Sequence, residues 1–325
     1  MTKSDRVEIN FKGKQVKVNA VRIEYKDIIA AGKIIKLAGV KIEWDDEVED
    51  PEFLIDALKR TGFPADIFTF VQKYPETKPK YQYFMEWEAV AAMHVVSFHD
   101  WWKNLPKKTR QNIRNTEKNG VVAKLVDFDD ELVKGILDIY NDTPVRQGRP
   151  FWHYGKDFNT VKRENATYLD RCDFIGAYRN DELIGFIKLV YSGKIAYPMQ
   201  IISKIEHRDD ILKPTSLLVA KAVELCEKKN IPYFTYGFWD EGSLSEFKRR
   251  NGFEKVLLPR YYVPLNIKGK VAIRMNLHHG IKGLLTEKMK FYLKNVRNKW
   301  YSTLHKTKSA HEGKKGLPKS GIQVH

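Results

Sequence analysis

The segment from Ser243 to Pro264 sets the narrowest limit on how this chain can fold. Ser243-Leu-Ser-Glu-Phe-Lys-Arg-Arg-Asn-Gly-Phe253 has the make-up of a short helix stopped at Asn251-Gly252, because glycine takes the left-handed conformation that closes a helix at little steric cost. Pro259-Arg-Tyr-Tyr-Val-Pro264 then predicts a return strand within Lys255–Pro264. Upstream, Phe174 to Val190 is the clearest hairpin, turning at Arg179-Asn180-Asp181-Glu182. Ala196 to Ile205 predicts a third strand, Thr215 to Lys229 a helix and Tyr233 to Tyr236 another strand. The order β-β-β-α-β-α-β specifies an α/β (α+β) protein with a mixed sheet flanked by helices.

The preceding half carries its own signals. Asp50-Pro51 to Gly62 is a compact helix opened by an acid and a proline, with Phe53, Leu54 and Leu58 on its apolar face. Asp66 to Val71 predicts a buried strand and Tyr81 to Val96 an extended region, while residues 7–24 alternate weakly, like edge strands or an arm. Phe98 to Gly120 predicts two helices broken at Leu105-Pro106, with Trp101 and Trp102 in the core. Val121 to Val126 is a strand and Asp129 to Tyr140 an amphipathic helix, after which Asn141 to Asp157 is irregular. A chain of 325 residues, 42% of them hydrophobic, has room for two domains with sizeable cores.

With its leading hairpin and the Gly252-Phe253 stop, the stretch 165–265 resembles the GNAT acyltransferase fold. Leu105-Pro-Lys-Lys-Thr-Arg-Gln-Asn-Ile-Arg114 and Glu117-Lys-Asn-Gly-Val121, followed by a strand and a helix, are similar to the matching part of Fem-like peptidoglycan aminoacyltransferases and of related envelope-polysaccharide acetyltransferases. The resemblance spans most of residues 50–265. It implies two GNAT-like subdomains: a degenerate one over 1–160, a catalytic one over 161–265, and a tail over 266–325. It also implies an N-acyltransferase that moves an acyl or aminoacyl group from acyl-CoA or aminoacyl-tRNA to an amine of an amino sugar, peptide or small molecule. No metal is expected.

Two departures from the GNAT pattern shape the expectation. GNATs cradle the CoA pyrophosphate in a glycine-rich loop before the central helix, where backbone N–H groups meet phosphate. The equivalent loop here, Glu206 to Ser216, has no glycine. His207, Arg208 and Lys213, with Thr215 and Ser216 at the helix start, are the candidate donor-binding residues, so acyl-CoA stays open beside the aminoacyl-tRNA that Fem-like proteins use. Second, Lys248 stands where many GNATs place an acidic tyrosine. A lysine there can hold negative charge developing on a carbonyl oxygen. A surface lysine beside Arg249 and Arg250 is the alternative.

Thr143 to Gly155 packs two arginines, a histidine, three aromatics and two glycines into thirteen residues. Arg146 and Arg149 suit bidentate pairing with phosphate or carboxylate. Trp152 and Tyr154 suit stacking, and His153, with an ordinary pKa near ~6.5, suits deprotonating an ammonium. Tyr236 joins them as a substrate contact. A packed connector with surface arginines is the alternative. Asp240 and Glu241 are expected to cap the Ser243 helix, or to bind an amine. Lys107, Lys108, Arg110 and Arg114 form a solvated basic face or a phosphate contact.

The charge of +16 belongs mostly to the tail: residues 266–325 hold fourteen Lys/Arg and two acids. Ile281, Leu285, Met289, Tyr292, Val296 and Trp300 make one stripe of a helix over about 280–304, ringed by lysines and arginines. Such a helix fits an anionic membrane surface, the phosphates of tRNA, or its own domain. Cys172 and Cys226 make neither a disulfide framework nor a zinc site. With no signal peptide or long apolar run, the expected place is cytoplasmic, peripheral at the inner membrane face if the tail binds lipid. A non-catalytic GNAT-like module held to RNA or membrane by this tail is the competing function.

Overall fold

A computed structural model describes residues 5–11, 14–146, 148–205 and 212–279. Strands β1 (Asp5–Phe11), β2 (Lys14–Ile23), β3 (Lys26–Ala31) and β4 (Leu37–Val40) run back and forth, α1 (Pro51–Arg60) follows, and β5 (Ile67–Val71) and β6 (Phe84–His94) come next. Asp50 Oδ1 accepts the Phe53 N–H at 2.9 Å, and Pro51 fills the first helical position, whose N–H would lack a partner anyway. Helices α2 (Phe98–Asn104) and α3 (Lys107–Lys118) break at Leu105-Pro106, as expected. After them come β7 (Val122–Val126), α4 (Asp130–Asn141), the two-residue strands β8 (Val145–Arg146) and β9 (Arg149–Pro150), and α5 (Phe158–Asn165). The hairpin of β10 (Cys172–Arg179) and β11 (Glu182–Ser192) turns through Asn180 and Asp181 at φ 48° and 65°, the left-handed pair that a two-residue turn needs. Last come β12 (Ile195–Ser203), α6 (Pro214–Lys228), β13 (Tyr233–Phe238), α7 (Ser243–Arg250), β14 (Glu254–Pro264) and α8 (Ile267–Arg274).

Twelve of the strands form one mixed sheet in the order β1-β2-β3-β4-β5-β14-β6-β13-β12-β11-β10-β7. Its two halves repeat one pattern. From either end, three antiparallel pairings lead to one parallel pairing, β4 with β5 or β12 with β13. A parallel pair needs a crossover, and α1 or α6 supplies it. The halves then exchange strands: β6 pairs with β13, β14 pairs with β5, and β6 and β14 pair with each other from Phe84↔Tyr262 to Ala92↔Glu254. The N-terminal half is the trimmed copy. A tight hairpin joins β1 to β2, whereas α4 and α5 stand between β7 and β10.

Alternation along the strands fills two layers on the C-terminal half. Ala91, Met93, Ile187, Ala196 and Phe234 face α6, with α2 and α3 beside it. Phe174, Leu183 and Phe186 face α4 and α5. Trp101 and Ile113, expected within the first subdomain, therefore pack with Leu217 and Leu218 of α6. The N-terminal half has its own core of Ile28, Leu58, Phe68, Phe70 and Tyr261 beneath α1. Among the described residues no helix is long and apolar enough to cross a membrane. The helix expected over 280–304 lies outside the described residues, as do His207 and Arg208.

Candidate functional site

The parallel pair β12–β13 is joined for two residues only, Ile195↔Tyr233 and Ala196↔Phe234. Beyond Tyr197 and Thr235 the strands diverge, although β12 runs on to Ser203 and β13 to Phe238. Gly237, at φ 57°, lets β13 bend away where its register against β6 shifts, a conformation most side chains disfavour. The result is a wedge in the sheet, with one edge of β12 left without a strand partner among the described residues. Phe234 faces the layer with α6, and so does Phe247 of α7. Thr235, Val90 and Glu88 point to the opposite face, as their cross-strand positions require.

On that opposite face the wedge opens into a cavity of about 200 Å³, walled by Trp44, Tyr74, Tyr197 and Phe238 and edged by Lys73 and Glu88. An adjoining cavity of about 240 Å³ shares Lys73, Tyr74 and Tyr197. A larger one, about 490 Å³, lies among α2, α3, β7 and α6, and none of its lining residues borders the wedge. Trp44 meets Tyr197 edge-on at 5.1 Å. Its loop is clamped to the C-terminal half by Asp45, which accepts two bonds from Arg171 at 3.0 and 2.6 Å and one from Ser192 Oγ at 2.6 Å. Burial pushes the Tyr197 phenol up, Asp45 and Glu47 add to this, and the Thr235 hydroxyl opposes it.

The floor is charged. Arg260 on β14 donates to both oxygens of Glu43 at 2.8 Å each, and to Glu88 at 2.6 and 3.2 Å. Burial opposes its charge, but the two carboxylates outweigh burial and hold the guanidinium more firmly protonated than usual. Lys73 donates to the Glu43 carbonyl, and burial brings its pKa down to about 8 against the pull of the surrounding acids.

On the α6 face stands Lys248, 2% exposed. Its helix closes as expected: Gly252 takes φ 88°, and the Gly252 and Phe253 N–H groups return to the Arg249 and Lys248 carbonyls at 3.1 Å each. The Lys248 ammonium donates to the Phe238 carbonyl at 2.7 Å and lies 4.7 Å from the centre of the Tyr236 ring. Burial lowers its pKa and Asp240 opposes the shift. Lys248 thus grips the main chain of a residue whose neighbours line the wedge. Gly242 occupies the N-cap position of α7, one residue past the Asp240-Glu241 pair expected to cap it.

The 143–155 loop lies elsewhere. None of its described residues lines either junction cavity. Arg146 spends its guanidinium on the Ser203 and Ile139 carbonyls and on Asp142, tying the loop to the far end of β12. His153 is 3% exposed, stacked between Tyr140 at 4.1 Å and Trp152 at 3.6 Å. Burial, then Lys156 and Arg146, push its pKa down to about 3, so it is a neutral, weakly basic ring where a general base was expected. Arg149, Trp152 and Tyr154 are exposed. At the start of α6, Pro214 offers no N–H, the Lys213 N–H is spent on Thr116 Oγ1, and the Ser216 N–H folds back to the Lys213 carbonyl. Thr215 is half-buried and Ser216 buried there. Arg110 donates to the Lys103 carbonyl at 2.6 Å and Arg114 lies over Trp102, so this pair of the basic cluster is engaged with its own helices.

The low pKa of His153 has a stability consequence. Below about pH 6.5 the unfolded chain protonates this imidazole, whereas the folded chain does not until about pH 3. Unfolding therefore takes up a proton in that window, and the stabilisation, complete above about 6.5, falls as pH falls. Urea denaturation at pH 7 and pH 5 is expected to show a wild-type loss larger than that of His153→Gln by up to about 1.4 kcal/mol per pH unit. Equal slopes would mean that the ring is charged in the folded protein.

Trp44, Lys73, Tyr74, Tyr197 and Thr235 were not singled out by sequence. One signal was present: Trp44 is a lone aromatic in the acidic run Glu43-Trp-Asp-Asp-Glu47.

No protein-family model matches the sequence, and no curated protein matches it. Solved structures share its architecture. FemX is similar at a TM-score of 0.52 and 10% identity, over 84% of this chain and 90% of that one. The C-terminal domain of a protein named as a lysylphosphatidylglycerol synthetase, from Agrobacterium fabrum, is similar at a TM-score of 0.50 and 14% identity, over 79% and 86%. At such identities the likeness speaks for the fold: two GNAT-like halves in a Fem-like arrangement.

Proposed function

We propose that this chain, Fem-like in fold, is an N-acyltransferase that moves an acyl or aminoacyl group from an activated donor to an amine. The wedge between β12 and β13 carries the reading. An extended donor laid along the open edge of β12 meets main-chain hydrogen-bonding groups there, and its reactive carbonyl reaches the vertex at Tyr197 and Thr235. The donor enters from the α6 face, where Lys213, Thr215 and Ser216 are the candidate contacts. The acceptor enters from the junction cavity, between Trp44, Tyr74 and Tyr197. The amine nitrogen bonds to the carbonyl carbon, the bond to the donor's oxygen or sulfur breaks, and the proton lost by nitrogen balances the charge on the leaving group. Main-chain N–H groups of β12, with Lys248, hold the developing oxyanion. Lys73, with its pKa near 8 at the cavity edge, is better placed than His153 to take the ammonium proton.

The start of α6 favours an aminoacyl-tRNA donor over acyl-CoA. Its sequence has no glycine, and among the described residues Pro214 has no N–H while those of Lys213 and Ser216 are already bonded, unlike the loop that a pyrophosphate needs. The basic tail, carrying most of the net charge, supplies an anionic contact for tRNA or for a membrane surface. The test is a donor screen on the full chain with charged tRNA, acetyl-CoA and longer acyl-CoAs, read by thermal shift and by acylation of amino sugars and peptides. Charged tRNA at ~100 times its dissociation constant is expected to stabilise by about 2.7 kcal/mol and to support turnover. Binding of tRNA or vesicles with no turnover from any donor would favour the non-catalytic module.

A further inference from the structure

On the cavity face of the sheet, two residues along β6 from Glu88, Glu86 meets a pair of histidines from the end of the described chain. His278 Nε2 lies 3.1 Å from one oxygen of Glu86, and His279 Nε2 lies 2.7 Å from the other. The two rings are 4.2 Å apart. His278 is enclosed, edge-on to Phe84 at 5.8 Å and Tyr262 at 4.6 Å. Its Nδ1 is buried without a hydrogen-bond partner among the described residues. Glu86 and His279 are each about a third exposed, so an ion has a way in.

We propose that Glu86, His278 and His279 form a binding site for a divalent transition-metal ion of the zinc class, with water as the remaining ligand. Two imidazoles and one carboxylate are a donor set that suits zinc, cobalt or nickel and leaves a position open. The three ligand atoms already lie within 4.8 Å of one another. Ligands about 2.0–2.1 Å from a tetrahedral ion stand about 3.3 Å apart, so small side-chain rotations complete the site. Binding through Nε2 would place the ring protons on Nδ1, the nitrogen that metal-bound imidazoles keep for an outer hydrogen bond. Bound there, the ion would fasten the segment after α8 to β6, just before the stretch 280–304 where the sequence predicts a basic helix. This proposal does not depend on the transferase reading.

The test uses the full chain, freed of metal with a chelator and titrated with Co²⁺ and then Zn²⁺. One Co²⁺ per chain is expected, with visible absorption bands of a four-coordinate ion that Zn²⁺ abolishes. His279→Gln and Glu86→Gln are each expected to weaken Co²⁺ binding by at least about tenfold, while unfolding in chelator stays close to that of the parent. Should Glu86→Gln fold poorly, the more exposed His279→Gln decides alone. Absence of stoichiometric Co²⁺ binding, or unchanged binding in His279→Gln, would show a hydrogen-bonded His–Glu–His cluster and overturn the proposal.

Discussion

Replacing Lys248 with alanine is expected to cut turnover by about 10²-fold or more, the scale for losing one partner of a developing oxyanion. That corresponds to about 2.7 kcal/mol of transition-state stabilisation. The residue also has a structural duty, because its ammonium holds the Phe238 carbonyl at 2.7 Å. Losing a charged hydrogen bond to a partly buried carbonyl costs about 1–3 kcal/mol of stability. The two roles separate in Lys248→Met, which keeps the aliphatic stem over Tyr236 and drops the charge. If Lys248 acts in the reaction, kcat falls far more than KM, and urea denaturation shows folded enzyme under assay conditions. A variant that turns over at the wild-type rate would remove Lys248 from the mechanism and leave it as a brace for the end of β13.

Arg260→Met is expected to cost about 3 kcal/mol or more, because removing one member of a buried ion network strands the others. Glu43 and Glu88 converge on this one guanidinium, whose side chain is 13% exposed, and without it they face each other at the cavity floor. The triple variant Arg260→Met, Glu43→Gln, Glu88→Gln is expected to recover most of the loss, since no uncompensated charge remains. The pH dependence gives a second check. Stranded, partly buried carboxylates have raised pKa values, so the folded form binds more protons than the unfolded one. Arg260→Met should therefore gain stability, relative to wild type, as pH falls from 7 toward 5. A loss below about 1 kcal/mol, the range of exposed pairs, would mean that solvent screens the network.

What could be read from sequence was what local rules decide. The Asn180-Asp181 turn, the Leu105-Pro106 break and the Asn251-Gly252 stop each follow from the conformational limits of a few adjacent residues, and the structure shows all three. Helix α8 was not read from sequence, and it holds Gly269, a residue that weakens a helix interior. There a side chain is excluded by close packing: a Cβ would fall 1.9 Å from the Asp66 carbonyl oxygen. The junction cavity showed only in the lone Trp44 of its acidic run, since Trp44, Lys73, Tyr197 and Thr235 come from separate stretches that only the sheet brings together. The 143–155 loop failed for the opposite reason. Its arginines and aromatics are what a binding loop uses, and equally what a connector uses to satisfy buried carbonyls, as Arg146 does.

The exchange of β6 and β14 between halves also constrains how the molecule comes into being. When synthesis has passed His94, β5 and β6 have been made, but their partners β14 and β13 have not. Those pairings span a large part of the chain, and such distant contacts form late. Until residues 233–264 arrive, the nascent N-terminal half presents unsatisfied strand edges, the feature that draws chains into wrong pairings. The strand exchange that joins the finished protein's halves is thus also its period of greatest exposure during synthesis.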